Sequence, residues 1–156
     1  MKVNKPVNVV VIGGGTAGLE AACTAAEVGC TTFLFEAKPY LGGLAREIAK
    51  LPAKDRINDF PNYLINRAKK LRNLYIFTNT TATMEAIENL KPDVIVNATG
   101  ATHLLPPITG LHDRVDKENS KVLSIFGLIE NIQKFNEMDL EGKKIGVIGG
   151  GAVGLD

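Results

Sequence analysis

The chain alternates short apolar runs with longer amphipathic ones. VNVVVI, residues 7 to 12, is a continuous β-branched stretch that stops at three glycines, the pattern of a parallel strand covered on both faces. Residues 16 to 28 are rich in Ala, Leu and Glu and stop at Gly29, which predicts a helix closed by a C-terminal glycine. TTFLFE, residues 31 to 36, reads as a second strand. The three segments make a βαβ unit of about thirty residues, and its crossover is expected to be right-handed because parallel strands are joined that way.

Beyond Glu36 the periodicity weakens. AKPYLGGLAREIAKLPAKD, residues 37 to 55, is rich in Gly, Pro and Lys and predicts a long ordered loop over a binding site. Leu64, Ala68 and Leu71 then share one helical face between basic residues, and LYIF at 74 to 77 is a strand, which adds a further crossover. Residues 80 to 90 fit either a short hairpin strand or a helical turn. DVIVNATG, 93 to 100, is a buried strand running into Gly100, and the Pro106–Pro107 pair blocks regular structure after it. KVLS at 121 to 124 predicts another strand, 125 to 135 a helix, and IGVIGG at 145 to 150 one more buried strand. Strands alternating with helices in this way predict an α/β fold of three layers around a central parallel sheet.

Composition narrows the function classes. With 156 residues, 45% of them hydrophobic and 22% charged, the chain has enough apolar material for a real core. Eighteen basic against seventeen acidic residues leave a formal net charge of +1, which argues against nucleic acid or an anionic membrane as partner. No window approaches the roughly 20 apolar residues of a spanning helix, and the N-terminus has no signal-peptide pattern. Cys23 and Cys30 stand apart from any CxxC or metal-ligand spacing and suit buried thiols in a reducing cytoplasm.

The candidate chemistry lies in VIGGGTAGLE, residues 11 to 20. Gly13, Gly15 and Gly18 form GxGxxG between a predicted strand and a predicted helix, where one glycine makes the tight turn, one admits a pyrophosphate and one lets helix pack on strand. The unpaired first amides of that helix and its dipole hold phosphate without a lysine. Glu36 ends the next strand, where an acid accepts from ribose hydroxyls and disfavours a 2′-phosphate, so the ligand is of the FAD or NAD kind. The decapeptide recurs as VIGGGAVGLD at 147 to 156.

VIGGGTAGLEAA, FEAKPYLGGLA, DVIVNATGATHLLPPITG and KKIGVIGGGAVGLD together resemble the pyridine-nucleotide-disulfide-oxidoreductase-like region of the 2-enoate reductase and 2,4-dienoyl-CoA reductase family. The resemblance covers essentially the whole chain. It implies a three-layer FAD/NAD(P)-binding Rossmann-like fold in which an FAD-binding domain is interrupted by an inserted NAD(P)H-binding domain, each with its own GxGxxG. Residues 1–140 would then be the N-terminal portion of the FAD-binding domain and 141–156 the truncated start of the NAD(P)H domain, which makes the chain a fragment, inactive by itself.

On this resemblance, FAD is the cofactor, with NAD(P)H in the intact parent. Gly13, Gly15, Thr16, Ala17 and Gly18 would line the pyrophosphate, Glu36 and Ala37 would meet the adenosine ribose, and Gly42, Gly43 and Leu44 would follow the pyrophosphate and ribityl chain. Leu44 stands where family members often carry glutamine. Ala82 would pair through its backbone with adenine, and Ala98, Thr99 and Gly100 match an ATG motif that brings backbone close to the cofactor. No catalytic residue is assigned, because the hydride chemistry belongs to flavin and nicotinamide. His103 and His112 lack a partner at a persuasive spacing.

An enoate reductase of this type also needs an FMN barrel and an iron–sulfur cluster, which would be partners in the parent. Rival readings are a non-redox ADP-binding module and a plain NAD-binding Rossmann domain. The terminal strand, lacking its own domain, is expected to pack on this one, to be disordered, or to pair with a second copy as a homodimer.

Overall fold

The computed structural model describes residues 2–155. Strands β1 (Asn8–Ile12), β2 (Thr31–Phe35), β3 (Leu74–Phe77) and β4 (Val94–Asn97) alternate with helices α1 (Thr16–Glu27), α2 (Gly43–Ile48), α3 (Asp59–Ala68) and α4 (Met84–Asn89). Helices α5 (Ile125–Glu130), α6 (Ile132–Asn136) and α7 (Ala152–Leu155) follow, and a 3-10 turn at Asp55–Asn58 precedes α3. The strands form one sheet in the order β3-β2-β1-β4, every neighbouring pair parallel.

The period-2 geometry of β1 divides the core. Val9 and Val11 face α1 and α3, where Leu19, Ala22, Cys23, Leu34 and Leu64 join them. Val10 faces the opposite side, with Phe35 and Ile87 of α4. Helices thus lie on both faces of the sheet, in three layers as expected of a Rossmann-like fold, and a strand covered on both sides has no polar position to spare. Helix α1 closes through amides of Gly29 and Cys30, which donate to the carbonyls of Ala26 and Ala25, both at 3.0 Å. Arg67 of α3 straddles α1, with Nε 2.6 Å from Glu27 Oε1 and Nη1 2.8 Å from Glu20 Oε2.

Several expected elements differ. The ambiguous segment 80–90 contains helix α4 rather than a strand, because the Thr83 hydroxyl accepts from the Ala86 amide at 3.2 Å and caps it. The supposed loop over residues 37 to 55 contains α2. The helix expected over 125–135 breaks at Asn131 into α5 and α6. Neither 121–124 nor 145–150 is a strand, and every residue from 136 to 154 is exposed. Ile145, Val147 and Ile148 are β-branched, but a strand also needs a neighbour to accept its backbone, and this segment has none among the described residues.

Candidate dinucleotide-binding site

At the C-terminal end of β1 the chain reverses through Gly13, whose φ of +105° few L residues adopt and whose amide donates to the Phe35 carbonyl at 2.8 Å. Gly18, buried in the first turn of α1, packs so closely that a Cβ there would lie 1.8 Å from the Gly13 carbonyl oxygen. Gly15 is the N-cap residue, with no side chain capping the helix and no acid in its first turn. Helix α1 therefore offers uncapped amides and a positive dipole end through Thr16 and Ala17. A Cβ built on Gly15 meets nothing nearer than the Gly43 Cα at 3.8 Å, so its open side is free for a phosphate.

Strand β2 delivers Glu36 beside this turn. Its Oε2 accepts from the Gly14 amide and its Oε1 from the Lys38 amide, both at 2.7 Å. The Glu36 backbone also ties β2 to β3, receiving the Thr80 amide at 2.9 Å and donating to the Phe77 carbonyl at 2.8 Å. The chain then returns so that Gly42 donates to the Gly14 carbonyl at 2.9 Å and pairs with Gly15 as a parallel bridge. Gly43 lies directly against Gly15, while Leu44 at the start of α2 is 46% exposed. Tyr40, just before this return, lies between the Lys38 ammonium at 5.7 Å and the Arg46 guanidinium at 5.3 Å from its ring centre.

Glu47 of α2 is 5% exposed, and its Oε2 meets the Lys50 ammonium. Burial pushes its carboxyl up, but hydrogen bonds from Lys50 and Tyr40, with the charges of Lys50 and Lys38, outweigh burial and hold it below the ordinary carboxylate value.

A cleft of about 290 Å³ opens over these loops, lined by Ile12, Gly13, Phe35, Glu36, Ala37, Thr80, Thr81, Ala82 and Thr99. Of the residues expected at the site, it gathers Gly13, Glu36, Ala37, Ala82 and Thr99. Ala98 presents its carbonyl to Gly13, and Gly100, with φ of +86°, turns the chain away into open space. Thr99 is fixed by its hydroxyl and amide on Asn97 Oδ1, at 2.9 and 3.3 Å. Gly15, Thr16, Ala17, Gly18, Gly42, Gly43 and Leu44 lie along the adjoining turn instead. Sequence reading missed Thr80 and Thr81, which carry no glycine or charge to mark them; the signal was the positive φ of Asn79, visible only in three dimensions. The His103 ring packs at a tilt against Phe126, centroids 5.3 Å apart, and neither histidine lines the cleft. Among the described residues no group of His, Cys, Asp and Glu could hold a metal ion, and no helix is long and apolar enough to cross a membrane.

The second decapeptide repeats the geometry of the first. Gly149 has φ of +111°, and a Cβ on Gly154 would lie 2.1 Å from the Gly149 carbonyl oxygen. Among the described residues nothing, a carboxylate included, comes within 4 Å of a Cβ built on Gly150.

A glycine turn leading from a parallel strand to an uncapped helix, with an acid at the end of the next strand, defines a dinucleotide-binding α/β domain. The chain belongs to the pyridine nucleotide-disulphide oxidoreductase family, which it matches over residues 7–156, a family that uses FAD and NAD(P)H. It is similar to an NADH oxidase of Thermoanaerobacter brockii, 34% identical over 148 residues that make up 95% of this chain and 21% of that protein. A bilirubin reductase of Mediterraneibacter gnavus is 36% identical over the same shares. Among solved structures, a 2-naphthoyl-CoA reductase complex superposes with a TM-score of 0.72 at 28% identity, covering 84% of this chain and 19% of that one. The chain thus spans about a fifth of the length of these relatives.

Proposed function

We propose that this chain is the FAD-binding portion of an NAD(P)H-dependent flavin oxidoreductase resembling the 2-enoate and 2,4-dienoyl-CoA reductases. The observation that carries this reading is the junction of Gly15 with Gly42 and Gly43 beside Glu36. It places a second backbone strip along the track that leaves the α1 N-terminus. A ligand following both strips has more than an adenosine and a pyrophosphate to place, which favours FAD over a shorter nucleotide. The residues fit the cofactor: the uncapped turn takes the pyrophosphate, Glu36 and Ala37 the adenosine ribose, Ala82 the adenine, and Gly42, Gly43 and Leu44 the ribityl side. Ala98, Thr99 and Gly100, which follow β4, would bring backbone close to the cofactor, with Thr99 lining the cleft. Bound flavin supplies the hydride and electron chemistry, and this chain's residues bind and orient it.

Residues 1–140 hold every buried side chain of the described molecule, which supports reading 141–156 as the opening of an NAD(P)H domain. The repeated turn at Gly149 and Gly154 supports it further. Electrons would pass from NAD(P)H through FAD toward an FMN and iron–sulfur centre elsewhere in the parent, where an enoate or enoyl-CoA is reduced. The likeness to a 2-naphthoyl-CoA reductase favours a CoA thioester as that substrate.

FAD titration of the purified chain, followed by flavin absorbance and fluorescence quenching with ADP and NADH as competitors, tests this reading. Saturable FAD binding that is lost in Gly15→Val and Glu36→Arg is expected. Binding of ADP with no preference for flavin would overturn it in favour of an adenine-nucleotide module.

A further inference from the structure

We propose that Glu36 is a positioning residue that fastens the two walls of the dinucleotide cleft to each other, in addition to any contact it makes with a ribose. The proposal rests on the nucleotide-binding reading above, but its geometry concerns the protein alone. One carboxylate oxygen accepts from Gly14, in the β1–α1 turn, and the other from Lys38, in the β2–α2 connection, both at 2.7 Å. Each bond has an anionic acceptor and a backbone donor, the stronger kind of hydrogen bond. Gly14 is buried, and a Cβ there would come within 2.9 Å of the Glu36 Cβ and 2.6 Å of Leu41 Cδ2. Carboxylate, turn and returning loop are therefore packed as one unit.

The second glycine turn shows what the carboxylate does not do. Gly149 shares the positive φ of Gly13, and Gly154 approaches the Gly149 carbonyl as Gly18 approaches that of Gly13, with no carboxylate among the described residues within 4 Å of a Cβ built on Gly150, so the turn forms from its own backbone. What Glu36 adds is the placement of that turn against the β2–α2 loop. The role requires two acceptor oxygens on one side chain. Glutamine keeps the shape but brings only one acceptor and would set an NH₂ group against a backbone N–H. Each oxygen keeps a further lone pair, so a ribose hydroxyl can still donate to a group already committed to the protein.

The test compares ADP with 2′,3′-dideoxy-ADP on the wild-type chain and on Glu36→Gln, by calorimetric titration. If Glu36 only read the ribose, the substitution would leave the dideoxy ligand's affinity unchanged. Positioning predicts that the dideoxy ligand also binds more weakly to the variant, by about tenfold for the loss of one charge-assisted bond. Amide hydrogen exchange on the ligand-free chain supplies the second readout. Gly14 and Lys38 amides are expected to be protected in the wild type and to exchange at least tenfold faster in Glu36→Gln, with Val10 and Leu34 unchanged as evidence of an intact core. Unchanged dideoxy-ADP affinity, or unchanged exchange at Gly14 and Lys38, overturns the proposal. If wild type binds neither nucleotide, the nucleotide-binding reading fails, and the exchange experiment decides this inference alone.

Discussion

At the scale of single residues, the site is written in contacts that exclude side chains. Gly18 is legible in the sequence because the motif demands helix–strand proximity, and the structure gives that demand a distance: 1.8 Å from an added Cβ to backbone that cannot yield. Gly18→Ala is expected to destabilise the chain by about 3 kcal/mol, as overpacking against backbone does. A thermal melt compared with Ala17→Ser, a change on the exposed side of the same turn, checks this. The cysteines illustrate the opposite case, residues whose lack of chemistry is legible. Cys23 is fully buried, and that burial raises its thiol pKa above the usual value. Cys30 is 5% exposed. Neither is expected to react with a thiol reagent such as DTNB in the native state at pH 8, and both should react once the chain is unfolded. Thr80 and Thr81 were not legible, since their place in the cleft depends on where β3 ends relative to Glu36, a relation between strands rather than a property of either threonine.

Among the elements, legibility followed the presence of neighbours. VNVVVI and IGVIGG are alike in composition, yet the first lies between β2 and β4 while the second stands exposed. A β-branched run states a preference, and pairing decides whether it is realised. The clamp between α1 and α3 belongs to this scale, because no local pattern announces that Arg67 will meet Glu20 and Glu27. Hydrogen bonds from Arg67 are the first cause holding both carboxyls below the ordinary value of 4.5. A carboxyl depressed in the folded state stabilises it above the unfolded pKa, and the gain is lost as pH falls through the folded value. Arg67→Ala should therefore melt lower than wild type at pH 7, with the gap closing as the pH drops below 4.5. Arg67→Lys should recover only part of the gap, since an ammonium cannot fork between two carboxylates. A gap independent of pH would mean that the arginine acts through packing alone.

Over the whole molecule, the apolar surface is divided unevenly. Side chains from Val9 to Ile129 build the two sides of the core, whereas Ile145, Val147 and Ile148 are 70%, 68% and 77% exposed. The edge strand β4 adds Val94 and Ile95, each about half exposed, as surface that a lone domain gains nothing by showing to water. Removal of residues 145–156 is expected to leave the melting temperature of the chain unchanged, because those residues contribute nothing to the described core. The same deletion should reduce binding of a hydrophobic dye such as ANS and any concentration-dependent self-association seen by size-exclusion chromatography. A clear fall in melting temperature would show instead that the terminal segment folds back on the sheet in solution. A dimer that survives the deletion would move the contact to the open edge of β4, whose exposed valine and isoleucine are the next surface able to receive a strand.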